Sequence, residues 1–472
     1  MATQMKKTKL ATAVATAVVG LGLSAAANAV VVVGGDNGWE VSFDGNINAF
    51  YVQGNNDPGY SGLGLNAPVS RTDAGHVGQS GFGTNDGEGG FTPANSVDTS
   101  RITSGFLPAF FSFNVKSPTV NGMTGTARFS FAPQITNGNT KNQLYSAPPL
   151  AGGLSSGIQG SSIDMREVLV NLQGGFGTVS FGRTLSIFGR QAILKDMTLF
   201  GVGVANGQGG AVTAGRIGRG YTYPNFNARF SYKTPNLSGF QGEFGIFDPS
   251  IEQLNGGGGL LDETQIPRFE GELTFTQAFS GGSVQGWVDG LYQEIKNSNN
   301  SGQDHVVVGG WGVGAEAKMS GFGLTGYYYN GNGLGRSLQF VGGNDCNSTV
   351  VVGGTTFAAG SHCEAADNFG YYVQGTYTFN GKTKVGISYG ESNEDAFADS
   401  ILLASSNAGE MQMRDVKLSM WTVGVYHDVN SWLKVIAEYS NAKNDFGRNI
   451  ITNASGAQTS SDTFSVGSFF FW

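Results

Sequence analysis

Apolar and polar residues alternate with a period of two along much of this chain, most plainly in GWEVSFDGNINAFY near its start. Val41, Phe43, Ile47, Ala49 and Tyr51 fall on one side, and Glu40, Ser42, Asp44, Asn46 and Asn48 on the other. Successive side chains of an extended strand point to opposite faces, so this spacing predicts a strand with one greasy and one polar face. The division recurs in NGMTGTARFSF, where Ala127, Phe129 and Phe131 oppose Thr124, Thr126, Arg128 and Ser130. It recurs again in SWLKVIAEYS, where Leu433, Val435, Ala437 and Tyr439 oppose Lys434, Glu438 and Ser440, although Trp432 and Ile436 share the polar parity.

Continued along the chain, the pattern predicts about sixteen strands, separated alternately by short turns and long polar loops. Short turns fall near 117–120, 173–176, 235–239, 280–282, 319–321, 380–382 and 428–430; long loops cover 54–99, 135–162, 186–220, 331–366, 392–414 and 443–461. A water-soluble sandwich has no reason for that asymmetry, whereas a transmembrane β-barrel is built that way, with turns periplasmic and loops outside. Strands of ~9–11 residues cross a bilayer at a tilt, and closure satisfies every backbone donor and acceptor. Size then decides use: ~8 strands enclose packed side chains, while ~16–18 leave an aqueous channel.

Composition supports an all-β chain. The 76 glycines are unfavourable in helices, and 33 Phe, 16 Tyr and 6 Trp scattered along the length are too many for glycine-rich disorder. Lys6, Lys7 and Lys9, the apolar run from Leu10 to Leu23 and the small residues Ala27 and Ala29 predict a secretory signal peptide over 1–29, leaving one domain over 30–472. Without the three signal lysines the chain carries 24 basic against 35 acidic side chains, a formal −11, which argues against nucleic acid as a partner. Cys346 and Cys363 stand close together in an exported chain and are expected to form a loop disulfide.

Four stretches resemble the general-diffusion porins of Gram-negative outer membranes: MREVLVNLQGGFGTVSFGR, ARFSYKTPNLSGFQGEF, GVYHDVNSWLKVIAEYS and the ending FSVGSFFFW. The resemblance implies a sixteen-stranded homotrimer whose third long loop, here about 186–220, folds inward and narrows a water-filled channel for passive diffusion of ions and small solutes. It implies outer-membrane lipid and lipopolysaccharide as surroundings and no cofactor. It also makes Trp472, where most members end on Phe, the signal read by the barrel-assembly machinery.

The residues expected at the constriction follow the family pattern only in part. The loop carries Arg190, Lys195, Arg216 and Arg219 after Arg183, with Asp196 its sole acid. Arg101 and Arg166 match the family's wall arginines in local context. Arg166, however, shares its parity with Val168, Val170 and Leu172, so it points inward only if a bulge resets the alternation, and Glu167 is the rival wall residue. Arg128, Arg229 and Lys233 have inward parity between outward Phe129, Phe230 and Tyr232. Five basic groups against one acid predict a weak local anion preference; the lumen candidates Glu40, Asp44, Glu270, Glu272 and Glu438 pull the other way.

Rival classes are an outer-membrane hydrolase and a secreted glycine-rich solenoid or adhesin. No G-x-S-x-G element is present, His76, His305, His362 and His427 are scattered, and no fixed short repeat runs along the chain. Gly321, Gly323 and Gly326 spell a dinucleotide-like motif but lead into a strand, where no helix can receive a pyrophosphate.

Overall fold

The computed structural model describes residues 30–34, 37–57, 60, 84–85, 91–92, 97–133, 135, 163–205, 212–249, 263–296, 305–340, 343–347, 349–401, 414–450 and 456–472. The signal-peptide expectation lies outside them, as do His76 and most of loop 54–99. Eighteen segments form one antiparallel sheet. Val30–Gly34 extends its edge, and Val97–Thr103 and Phe110–Lys116 are two halves of one interrupted strand, so sixteen strands go round.

In chain order these are β1 (Glu40–Asn56), β2 (the two halves just named), β3 (Thr124–Pro133), β4 (Ile163–Gly174), β5 (Gly177–Leu185), β6 (Phe226–Lys233), β7 (Phe240–Phe247) and β8 (Arg268–Phe279). There follow β9 (Gly282–Lys296), β10 (His305–Met319), β11 (Phe322–Asn332), β12 (Asp367–Phe379), β13 (Thr383–Glu394), β14 (Val416–Asp428), β15 (Leu433–Phe446) and β16 (Gln458–Phe471). Each strand pairs with its neighbours in sequence, and β16 returns to β1 with Phe471 opposite Asn46 and Ser461 opposite Asn56. Closure of β16 on β1 over these residues leaves the barrel itself without an open edge.

The alternation read from β1 holds: Ile47 and Tyr51 are exposed on the outer face, while Asp44, Asn46 and Asn48 are buried inside. Outward Phe230, Phe244, Val288, Trp311, Leu324 and Ile387 continue an apolar belt around the barrel. Such a belt is stable only against lipid.

Two departures from a uniformly polar lumen stand out. Trp287, Tyr327, Tyr372, Ile436 and Phe469 point inward and are buried, because the loop after β5 brings in Phe188, Ile193, Leu199 and Tyr221, which need an apolar counterface. Second, β2 breaks at 104–109. There Asn48 donates to the Leu107 carbonyl (3.0 Å) and accepts from the Gly105 N–H (2.8 Å), which ties the break to β1 from inside the barrel.

The segment after β11 also folds inward. Leu334, Phe340 and Cys346 are buried against Val306 and Val308, and a disulfide joins Cys346 to Cys363 across a short ribbon, Asn344–Cys346 with Cys363–Ala365.

Candidate functional site

The loop between β5 and β6 crosses the barrel interior, held first through its own backbone. Glu270 accepts the N–H groups of Ile187 (2.7 Å) and Phe188 (2.9 Å), and Asp289 accepts that of Gly189 (3.2 Å). A short helix, α1 (Arg190–Lys195), follows, and a 3-10 turn over Met197–Phe200 is capped by Asp196, whose Oδ1 accepts from the Thr198 N–H at 3.0 Å. Farther on, Glu438 receives the N–H groups of Val202 (2.6 Å) and Gly203 (3.0 Å). Gly201 is required there, since a Cβ would lie 1.8 Å from the Glu438 Oε1.

Side chains brace the same segment against the far wall, β7 to β15. Arg190 donates to Glu243 and Glu272, both at 2.8 Å, and Lys195 to Gln285 (2.7 Å) and Glu316 (3.2 Å). Burial works against the Arg190 charge, but Glu243 and Glu272 more than offset it and hold the guanidinium above its ordinary pKa. Asp196 turns back into the loop, accepting from the Tyr221 hydroxyl at 2.7 Å and lying 3.6 Å from Arg216. Burial and then the Asp196 charge push the Tyr221 hydroxyl well above its usual pKa, so it stays a donor. Arg216 reaches Ser388 and the Met420 carbonyl; Arg219 reaches Asn444 at 2.7 Å.

The near wall carries a second charged cluster. Arg128 grips Asp44 with two bonds, at 2.7 and 2.9 Å, and donates through Nε to Glu167 at 2.8 Å. The register between β3 and β4 shifts after Ser130: Glu167 pairs with Ser130 and Met165 with Phe131, leaving Arg166 as the extra residue. That bulge turns both rivals away from lipid. Glu167 is buried, and Arg166, half-buried, donates to Asp164 at 2.8 Å with its guanidinium 5.5 Å from the Phe226 ring centre.

The remaining candidates divide. Arg229 is buried inside the barrel with Glu243 at 3.2 Å, Lys233 lines the larger cavity, and half-buried Arg101 stands opposite inward Val52. Arg183 is corrected: it is exposed, on the outward parity of Val179 and Phe181, because no bulge interrupts β5, and Thr184 takes the inward place by donating to Glu167 at 2.8 Å. The acidic wall residues Glu270, Glu272 and Glu438 serve as anchors for the loop. Parity had marked them as inward, but the loop they hold could not be read from β8 or β15 alone.

Two cavities flank the loop. The larger, about 940 Å³, runs toward the short turns and is lined by Arg190, Lys195, Arg229, Lys233, Glu243 and Glu272 among others. The smaller, about 70 Å³, lies between Arg128, Arg166 and Glu167 on one side and Phe106, Leu107 and Ile193 on the other. The break in β2 closes onto the loop beside it, through the Phe106 N–H to the Gly201 carbonyl (2.8 Å) and the Leu107 N–H to the Leu199 carbonyl (3.1 Å).

A closed barrel, alternating turn lengths and an inward-folded loop coincide with a match of residues 11–447 to the Gram-negative porin family model. The chain belongs to the Gram-negative porin family. The porin fold is shared with the outer membrane channel DcaP of Acinetobacter baumannii, at 14% identity and a TM-score of 0.57, covering 94% of this chain and 100% of that one. It is shared too with the anion-selective porin from Comamonas acidovorans, at 14% identity and a TM-score of 0.53, covering 92% of this chain and 100% of that one. Comparison with curated protein sequences gave no match. As a porin the chain is an outer-membrane channel for diffusion.

Proposed function

We propose that this porin passes small ions and hydrophilic solutes passively and that the charges around its inward loop favour anions. The reading rests on the larger cavity, whose lining carries six basic side chains (Arg190, Lys195, Arg229, Lys233, Lys318 and Lys384) and four acidic ones (Asp196, Glu243, Glu272 and Glu316). In a narrow passage with low-dielectric walls, such an excess raises the local anion concentration. The chain is read as a channel and not as an enzyme. Its mature form is read as the single barrel domain 30–472 with the signal 1–29 removed, a homotrimer among outer-membrane lipid and lipopolysaccharide, delivered by the barrel-assembly machinery.

Reversal potentials across a planar bilayer in a KCl gradient test the charge reading. Chloride is expected to be the more permeant ion; a clear potassium preference overturns the reading. Lys233→Glu, which removes a basic group from the cavity lining and adds an acid, is expected to shift the potential toward potassium.

A further inference from the structure

The long loop between β11 and β12 does not stay outside the barrel. Among its described residues, Leu334, Arg336, Ser337, Gln339 and Phe340 are buried and Leu338 is half-buried. Loops run over protein surfaces because their backbone groups need water, so a loop turned inward must find other partners. This one does. The Leu334 N–H donates to the Asn368 Oδ1 on β12 (2.9 Å), and the Phe340 N–H to the Leu334 carbonyl (2.8 Å). Arg336 pairs with Glu394 at the end of β13, and the Arg268 guanidinium on β8 lies 5.5 Å from the Phe340 ring centre. With Leu334 and Phe340 packed on Val306 and Val308 of β10, the segment covers the inner wall from β8 to β13 at its long-loop end.

Its inner side rests on the loop between β5 and β6. The Ser337 carbonyl accepts the Tyr223 N–H at 2.8 Å, and Leu334 and Phe340 share one apolar cluster with Ile217 and Tyr221. Gly218 is the seat, since a Cβ there would lie 2.1 Å from the Ser337 Oγ. The wall carboxylates hold the start of the inward loop; its returning limb is held from the long-loop side by this second loop. Packed interiors leave few voids larger than a water molecule, so the volume that the segment fills is lost to the aqueous path.

We propose that residues 334–340 are a second element of the constriction, which positions the returning limb 217–223 and closes the part of the barrel bounded by β8 to β13, so that two inward loops set the size limit of this porin. The segment is built as a separable unit. Gly333 and Gly343 meet at its base, where a Cβ on Gly343 would lie 2.9 Å from the Gly333 carbonyl carbon. Both are clipped to Ala366, by the Gly333 N–H to the Ala366 carbonyl (2.8 Å) and the Ala366 N–H to the Gly343 carbonyl (2.7 Å). A compact loop whose ends meet can be cut out without pulling on the strands that carry it. The proposal rests on the protein being a diffusion channel and does not depend on its ion preference.

Excision tests it, with residues 334–342 replaced by Gly-Gly in the full-length porin and heat-modifiable gel mobility confirming that the barrel folds. Single-channel conductance in KCl is expected to rise several-fold, and in liposome swelling the permeability to raffinose relative to arabinose is expected to rise with it. Leu334→Ala combined with Phe340→Ala keeps the chain length, hollows the same segment and is expected to move both readouts the same way by less. An unchanged sugar ratio in the folded excision variant, or in the double variant where the excised chain does not assemble, overturns the proposal. Failure of the channel reading looks different: no current steps come from the wild type or from either variant.

Discussion

Asp345 lies buried beside the Cys346–Cys363 bond, with one carboxylate oxygen accepting from the Cys346 N–H at 2.8 Å. Burial raises its pKa from 3.8 to about 7, and that one bond offsets only part of the rise. A carboxyl group whose folded pKa lies above its unfolded value favours the fold when protonated. Its contribution is full below about pH 4 and is lost as pH rises through about 7. The disulfide loop should therefore exchange its amide protons faster at pH 8 than at pH 5, beyond the intrinsic base dependence, and Asp345→Asn should flatten that excess. Arg166 illustrates what a residue-level reading leaves open. The local pattern MREVLVNL placed Arg166 and Glu167 in competition for one inward position, and a bulge admits both, which depends on how β3 pairs opposite. Arg183 had no such rescue, and simple alternation from Phe181 already placed it outside.

At the scale of elements, β16 ends where the barrel closes. Trp472 exchanges two 3.2 Å main-chain bonds with Gly45, and its indole covers that glycine so closely that a Cβ there would lie 2.4 Å from the ring. Phe464, Val466 and Phe470 are exposed outward, as their parity predicts, while Phe469 and Phe471 stack on each other and meet Phe200 of the inward loop edge-on. Both faces of the last strand are thus occupied, one by lipid and one by the loop. Deleting Trp472 should reduce the yield of heat-modifiable, folded barrel several-fold while leaving the conductance of those channels that do form close to wild type; gel mobility and single-channel recording check the two halves separately. Strand positions and turns were legible because each is announced locally, by alternation and by Gly, Ser, Asn or Pro. The break in β2 had a local signal too, Gly105 and Pro108 inside an otherwise strand-like run, but nothing nearby says that its free N–H groups go to Leu199 and Gly201.

For the whole molecule, the inward loop crosses a wide sixteen-stranded barrel and, among the described residues, leaves two unequal cavities beside it. It is anchored on most of the far wall, at Glu243, Glu270, Glu272, Asp289, Glu316, Gln374 and Glu438, and meets the cluster on β3 and β4 through a longer bond, Arg166 to the Tyr223 hydroxyl at 3.5 Å. On the proposed function, one barrel is a complete conducting unit. If three such units assemble, current through one assembly should close in three equal steps at high voltage, and chemical crosslinking should stop at three chains. Closures in single steps together with a monomer-sized crosslinked product would remove the trimer while leaving the channel intact.

Alternation, turn chemistry and composition determined by themselves an all-β chain of about sixteen strands with an outer apolar face, because strand periodicity is a property of neighbouring residues and of the solvent each face meets. The family resemblance carried by four stretches supplied the expectation of an inward third loop. Only the tertiary structure decided where that loop lies and what it makes of the pore. The bonds that place it join residues as far apart as Val202 and Glu438, 236 positions along the chain, and such partners leave no periodic trace. Most of the charged residues singled out along the sequence brace the loop or line the cavities beside it, while Arg183 faces outward. Leu185, Leu194 and Leu199, unremarkable as a pattern, border both cavities.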